Sequence, residues 1–323
     1  MSLPETLFSD YSIGTSLTTA GEVQKVLDQL KELQINRIDT AALWPRASPG
    51  CSETLLGEVK ASGQSFKVDT RISPVTVSSS ASRGARTLTG PAIKKSLQES
   101  LDRLHTHQIH VLYFQRPDGS MPIGEQAAAM QEQYAESRFD KFGLCNFPEI
   151  ALKAFMLVCE DKGYVKPTVY QDWYNLASRE RRKAFPAPSP AWNRIPRLQV
   201  RTYFHYHLRP WPNWLTACST FSCFMTGRRT SGEGIWHTST YDNPKMQASI
   251  MDFRETIRKL QISKSEACLR WIYYHSKLQK GDGVILEASS APELAQHIKD
   301  IAKGPLPAES VEELDLLYKR LRG

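Results

Sequence analysis

The sequence predicts an α/β protein built as a closed, TIM-type (β/α)8 barrel. Strand-like runs alternate with amphipathic helix-like runs along most of the 323 residues. Six of those runs read as plain strands behind a weaker first one. No GxGxxG follows any of them, as a dinucleotide-binding open sheet would require. A chain of this length fits one barrel with a single core, residues 1–323.

In order, a short apolar segment from Tyr11 to Leu17 stands where a first strand is needed. Ala20 to Leu33 places Val23, Val26, Leu27, Leu30 and Leu33 on one helical face. Ile35 to Ala42 reads as a strand, and Ser52 to Ala61 as a helix with Ser52 as N-cap and Glu53 in the first turn. Phe66 to Ser73 is a strand, Val75 to Gly90 a Ser/Thr/Gly-rich loop, and Ile93, Leu97, Leu101 and Leu104 mark a helix. Strands at Ile109 to Gln115, Lys141 to Cys145 and Thr168 to Gln171 alternate with helices at Ile123 to Glu136 and Pro148 to Lys162. The pattern returns as a long helix from Pro244 to Ser276, a strand from Gly283 to Leu286, and helices from Pro292 to Ile301 and Ala308 to Leu321.

One segment breaks it. Lys183 to Ser222 holds six prolines, three tryptophans, no acidic residue and no usable period. The barrel is therefore expected to be disrupted around its sixth helix and seventh strand. The abrupt loss and recovery of pattern reads as translated non-coding sequence or a local frame shift.

Apolar residues make up 41% of the chain, ample for a core. No run approaches the roughly 18 apolar residues that span a bilayer, and the N-terminus lacks the charge and apolar stretch of a signal peptide. A soluble cytoplasmic protein with no membrane partner is expected. Six cysteines without a CxxC pair argue against a disulfide framework or zinc site and for free thiols. His105, His107 and His110 lack a second ligand set, so no metal is expected. The net charge of +7 is concentrated in seven basic residues between Lys183 and Arg229 with no acid among them. No nucleic-acid recognition element accompanies them, and no nucleic-acid partner is expected.

The stretch Asn36 to Gly57 carries the chemistry. Arg37-Ile38-Asp39-Thr40-Ala41 ends a strand on a carboxylate, and Ser52-Glu53-Thr54-Leu55-Leu56-Gly57 begins a helix. With Phe66-Lys67-Val68-Asp69-Thr70, Ser100-Leu101-Asp102-Arg103-Leu104, Arg116-Pro117-Asp118, Gly143-Leu144-Cys145-Asn146-Phe147 and Val169-Tyr170-Gln171, it resembles the aldo-keto reductase family, most closely its aflatoxin aldehyde reductase branch. Later blocks, Cys223 to Gly227, Leu269-Arg270-Trp271, Gly281 to Leu286 and Gly304-Pro305-Leu306, extend the resemblance over nearly the whole chain except Lys183 to Ser222.

The resemblance implies a barrel that binds NADP(H) and reduces an aldehyde or ketone, a small-molecule carbonyl substrate, to an alcohol. The family's catalytic Asp falls on Asp39. Its Tyr falls on Trp44, its Lys on Arg71 and its His on Gln115. An indole is no acid at neutral pH, and a guanidinium stays charged and is shaped unlike an ammonium. For the cofactor, the resemblance implies Asp39, Cys145, Asn146 and Gln171 near the nicotinamide. It implies Ser289, Ser290, Glu293 and His297 at the adenosine phosphate, with Arg228 or Lys299 offsetting the carboxylates of Glu287 and Glu293. Two functions are expected from these residues. One is an NADPH-dependent carbonyl reductase, in secondary-metabolite biosynthesis as the branch implies. The other is a catalytically impaired relative that binds cofactor or ligand without standard turnover.

Overall fold

The computed structural model describes residues 3–73, 88–176, 179, 197–201 and 255–322. Eight parallel strands close into a barrel, each paired with its neighbours in chain order. They are β1 (Glu5–Ser9), β2 (Arg37–Asp39), β3 (Lys67–Ile72), β4 (Ile109–Phe114), β5 (Phe139–Cys145), β6 (Pro167–Trp173), β7 (Arg197–Arg201) and β8 (Gly283–Leu286). Among the described residues the principal α-helices are α1 (Ala20–Glu32), α2 (Cys51–Glu58), α3 (Gly90–Arg103), α4 (Ile123–Ala135), α5 (Glu149–Lys162), α6 (Lys264–Arg270), α7 (Ala291–Ala302) and α8 (Ala308–Arg322). None of them is long and apolar enough to cross a membrane.

The period-two alternation of the strands sorts side chains into two layers. Ile38, Val68, Ile72, Leu112, Phe114, Phe142 and Leu144 point outward and pack under the helices, where Phe114, Phe142 and Phe155 meet edge to face. The residues between them in sequence, including Arg37, Asp39, Asp69, Arg71, Tyr113, Cys145 and Gln171, point into the barrel and are buried. Its interior is therefore polar through β2, β3 and β6. Gly143 makes room for one of these groups: a Cβ there would lie 2.2 Å from the Tyr113 ring.

Local signals fix the helices. A Thr19–Glu22 capping box opens α1, and its Val23, Val26, Leu27 and Leu30 are buried. Glu53 does more than complement a helix dipole. It is fully buried, accepts from Thr70 Oγ1 at 2.6 Å and from Arg103 Nε at 2.8 Å, and so ties α2 to β3 and α3.

Several expectations are corrected. The first strand is Glu5–Ser9, not the segment from Tyr11; Asp10–Ser12 form a 3-10 turn, and Ile13 bridges Leu17. A five-residue strand that begins with Glu and shows little alternation carries almost no signal. Ser52 is not an N-cap. The cap is Gly50 at φ 82°, and the Ser52 hydroxyl donates to buried Asp10 instead. The seventh strand exists, at Arg197–Arg201 inside the segment expected to lack one, and it pairs with both β6 and β8. Only five alternating residues, RLQVR, among prolines and tryptophans mark it. The long helix expected from Pro244 to Ser276 is interrupted: helical residues at 255–259 are followed by Gln261 at φ 53°, and α6 restarts from the Ser263 N-cap. The Ser263-x-x-Glu266 spacing is a start signal that the apolar period hides. Residues 244–254 and 74–87 lie outside the described residues. Cys51, Cys145 and Cys159 are free thiols, as expected, whereas Cys268 is disulfide-bonded.

Gly143→Ala should destabilise the fold by about 1–3 kcal/mol through overpacking against Tyr113, read by denaturant unfolding; an unchanged midpoint would contradict the interior packing. A pH dependence also follows. His275 Nε2 accepts from the Leu306 amide at 2.8 Å. Burial, then the nearby Arg270 charge, hold its pKa below the ordinary imidazole value, with Asp315 opposing. Because the folded pKa is depressed, this stabilisation is complete above the unfolded value of about 6.5 and is lost as the pH falls below it. Melting temperature should drop between about pH 7 and about pH 5. His275→Gln, which keeps an acceptor but does not titrate, should flatten that drop; an equally steep loss in the variant would count against it.

Candidate active site

The inward-facing positions at the C-terminal strand ends converge on one buried polar cluster, at the end of the barrel where this architecture does its chemistry. Asp39, last in β2, is 0% exposed, and Arg71 in β3 is 1% exposed. The guanidinium donates from Nε to Thr40 O at 3.0 Å, from Nη1 to Gln171 Oε1 at 2.7 Å, and from Nη2 directly to Asp39 Oδ2. Gln171, across the barrel on β6, closes the ring by donating from Nε2 to Asp39 Oδ1 at 3.0 Å. The planar fork of Arg71 makes this possible; a Lys ammonium cannot bridge two acceptors and a carbonyl in one plane.

A second charged layer supports the first. Arg37 Nη2 lies 2.6 Å from Asp69 Oδ2, and the other Asp69 oxygen lies 2.7 Å from His110 Nδ1. Tyr113 lies within the field of both ion pairs. Burial pushes its phenol well above the ordinary range, Asp69 and Asp39 push it further, and Arg37 and Arg71 oppose them. The phenol therefore keeps its proton, and it is 0% exposed.

At the end of β5, Cys145 Sγ donates to Gln171 Oε1 at 3.3 Å. Asn146 sits at φ 57° and donates from Nδ2 to Gln115 O at 3.1 Å and to Cys145 Sγ at 3.1 Å. The backbone of β4's end is thereby tied to β5 and β6. The side-chain amide of Gln115 makes no hydrogen bond among the described residues. Trp44 turns away from proton chemistry: its Nε1–H donates to Tyr11 O at 3.2 Å, and its ring stacks on Tyr11 with centroids 4.4 Å apart. Beside Gln115, burial and then the charge of Arg46 lower the Arg116 guanidinium pKa. The two guanidinium groups are thus close enough to act on each other.

The loop after β8 holds the remaining candidates. Ser289 gives both its N–H, at 2.7 Å, and its hydroxyl, at 2.6 Å, to Glu293 Oε2. Ser290 caps α7, accepting from the Glu293 amide at 3.4 Å. His297 is 2% exposed, with Nε2 3.9 Å from Glu293 Oε1; burial lowers its pKa, against the pull of Glu293 and Asp300. Glu287 is buried, and Lys299 is exposed. Arg228 lies outside the described residues. Among the described residues no group of His, Cys, Asp and Glu could hold a metal ion.

Thus Asp39, Arg71, Gln171, Cys145 and Asn146 form one bonded cluster, while Ser289, Ser290, Glu293 and His297 form a second at the β8 loop. Sequence reasoning missed Tyr113, hidden in an apolar strand, and Tyr11. It also missed Asp10, which receives the hydroxyls of both Thr40 and Ser52; an acid directly after a strand end was the available signal.

The aldo/keto reductase family model matches residues 11–188 and 215–319, and the gap falls within the atypical segment Lys183 to Ser222. Oxidoreductase sirO of Leptosphaeria maculans is 28% identical over 93% of this chain and 86% of its own length. Aldo-keto reductase pigE of Monascus ruber is 26% identical over 96% of this chain and 90% of its own. Aflatoxin B1 aldehyde reductase member 2 of Rattus norvegicus is 26% identical over 96% and 83%. With a barrel of this topology, a buried acid at the end of its second strand and a family match over most of its length, the chain belongs to the aldo/keto reductase family of oxidoreductases.

Proposed function

We propose that this protein reduces a small aldehyde or ketone of secondary metabolism with a reduced nicotinamide cofactor, by an altered form of the family's chemistry. The observation that supports this most is the convergence of Asp39, Arg71, Gln171 and Cys145–Asn146 from four strands onto one buried cluster at the C-terminal end of the barrel. The relatives named for aldehyde reduction support the substrate class.

The resemblance implies NADP(H), which supplies hydride to a carbonyl carbon when bound. Asn146 is suited to the carboxamide of such a cofactor, because its Oδ1 makes no hydrogen bond among the described residues. The Gln115 amide is the donor for the carbonyl oxygen, where negative charge develops. Arg71 acts as a positioning residue: the net charge of its pair with Asp39 is zero, and its role is to hold Gln171 and the Thr40 backbone. Trp44, at the position of the family's acid, supplies no proton, so the final proton comes from solvent. The guanidinium groups of Arg46 and Arg116 favour a carbonyl compound that carries a carboxylate.

A second reading, binding without turnover, draws support from Trp44, whose only donor is already given to Tyr11 O. Both readings are separated by following cofactor oxidation with 2-carboxybenzaldehyde beside a binding titration. The native chain should turn over slowly, with a rate that shows no titration of a catalytic acid. Trp44→Tyr with Arg71→Lys and Gln115→His should raise the rate by about a hundredfold or more, the contribution typical of a positioned general acid. Binding with no turnover in the native chain would favour the second reading, and absence of both binding and turnover would overturn the proposal.

A further inference from the structure

The β8 loop is chemically wrong for the cofactor the resemblance implies. TIM barrels seat phosphates on the loops after their last strands and on the N-terminus of an adjoining helix, where unpaired N–H and O–H groups face the anion. Here both donors of Ser289 already serve a carboxylate of the chain itself. Glu293 Oε2 takes the N–H and the hydroxyl of Ser289, while the Ser290 hydroxyl accepts from the Glu293 amide as the helix cap. A 2′-phosphate would have to displace Glu293 from the α7 N-terminus, where a carboxylate is well matched to the helix dipole. It would then sit beside that charge. A carboxylate beside a dianion repels it.

The same loop suits a hydroxyl. Glu293 Oε1 is buried and has no hydrogen-bond partner among the described residues, and His297 Nε2 lies beyond hydrogen-bond distance at 3.9 Å. A ribose 2′-OH donates; a phosphate cannot.

We infer that this chain selects the nicotinamide dinucleotide without a 2′-phosphate, NADH over NADPH, with Glu293 as the specificity-determining residue. The inference rests on the proposed binding of a nicotinamide cofactor. Titration of the full chain with NADH and NADPH, read by quenching of tryptophan fluorescence, tests it. ADP and adenosine 2′,5′-bisphosphate serve as competitors that isolate the adenosine end. NADH should bind about tenfold or more tightly than NADPH, and ADP should compete better than its 2′-phosphorylated counterpart. Glu293→Gln, which keeps an acceptor for Ser289 and removes the charge, should narrow the ratio by strengthening NADPH. Equal affinity, or tighter binding of NADPH, would overturn the inference and leave the cofactor reading intact. Binding of neither dinucleotide would overturn that reading and this inference with it.

Discussion

The buried ion pair of Asp39 and Arg71 is the constraint around which the end of the barrel is built. Taking two charges out of water costs several kcal/mol per ion, and attraction alone need not recover it. Recovery depends on hydrogen bonds to the remaining lone pairs and protons. The chain supplies them from Thr40 O and from both ends of the Gln171 amide. The pair thereby dictates the positions of β2, β3 and β6. Through the Gln171–Cys145 and Asn146–Gln115 contacts it dictates those of β5 and β4 as well.

This arrangement trades chemistry for rigidity. The Arg71 guanidinium stays charged at all working pH values and distributes its donors to the scaffold. Trp44 completes the change, since its N–H anchors the β2 loop to Tyr11. At the β8 loop, Glu293 likewise takes both donors of Ser289 for the scaffold.

Much of this was legible in the sequence. The alternation of β2 to β6 and the outward apolar face of the helices were plain, because period two and period 3.6 are strong signals in buried elements. Asp39 was readable as a carboxylate at a strand end. β1 and β7 were not, since five residues carry little pattern by themselves and owe their conformation to neighbours on both sides. The partners of Asp39 were equally hidden. That Arg71 reaches Gln171, that Glu53 serves Arg103 rather than a helix dipole, and that Glu293 fills its own loop are facts of side-chain direction across the fold, which spacing along the chain does not encode.

The most direct test of the central constraint is a double-mutant cycle on Asp39→Asn and Arg71→Met, measured by equilibrium denaturation. Each single change leaves a buried charge without its counterion and should cost about 3–5 kcal/mol. The double variant should be little worse than either alone, giving a coupling of about 2 kcal/mol or more. Additive losses, with no coupling, would show that the pair does not organise the barrel end and would contradict the account.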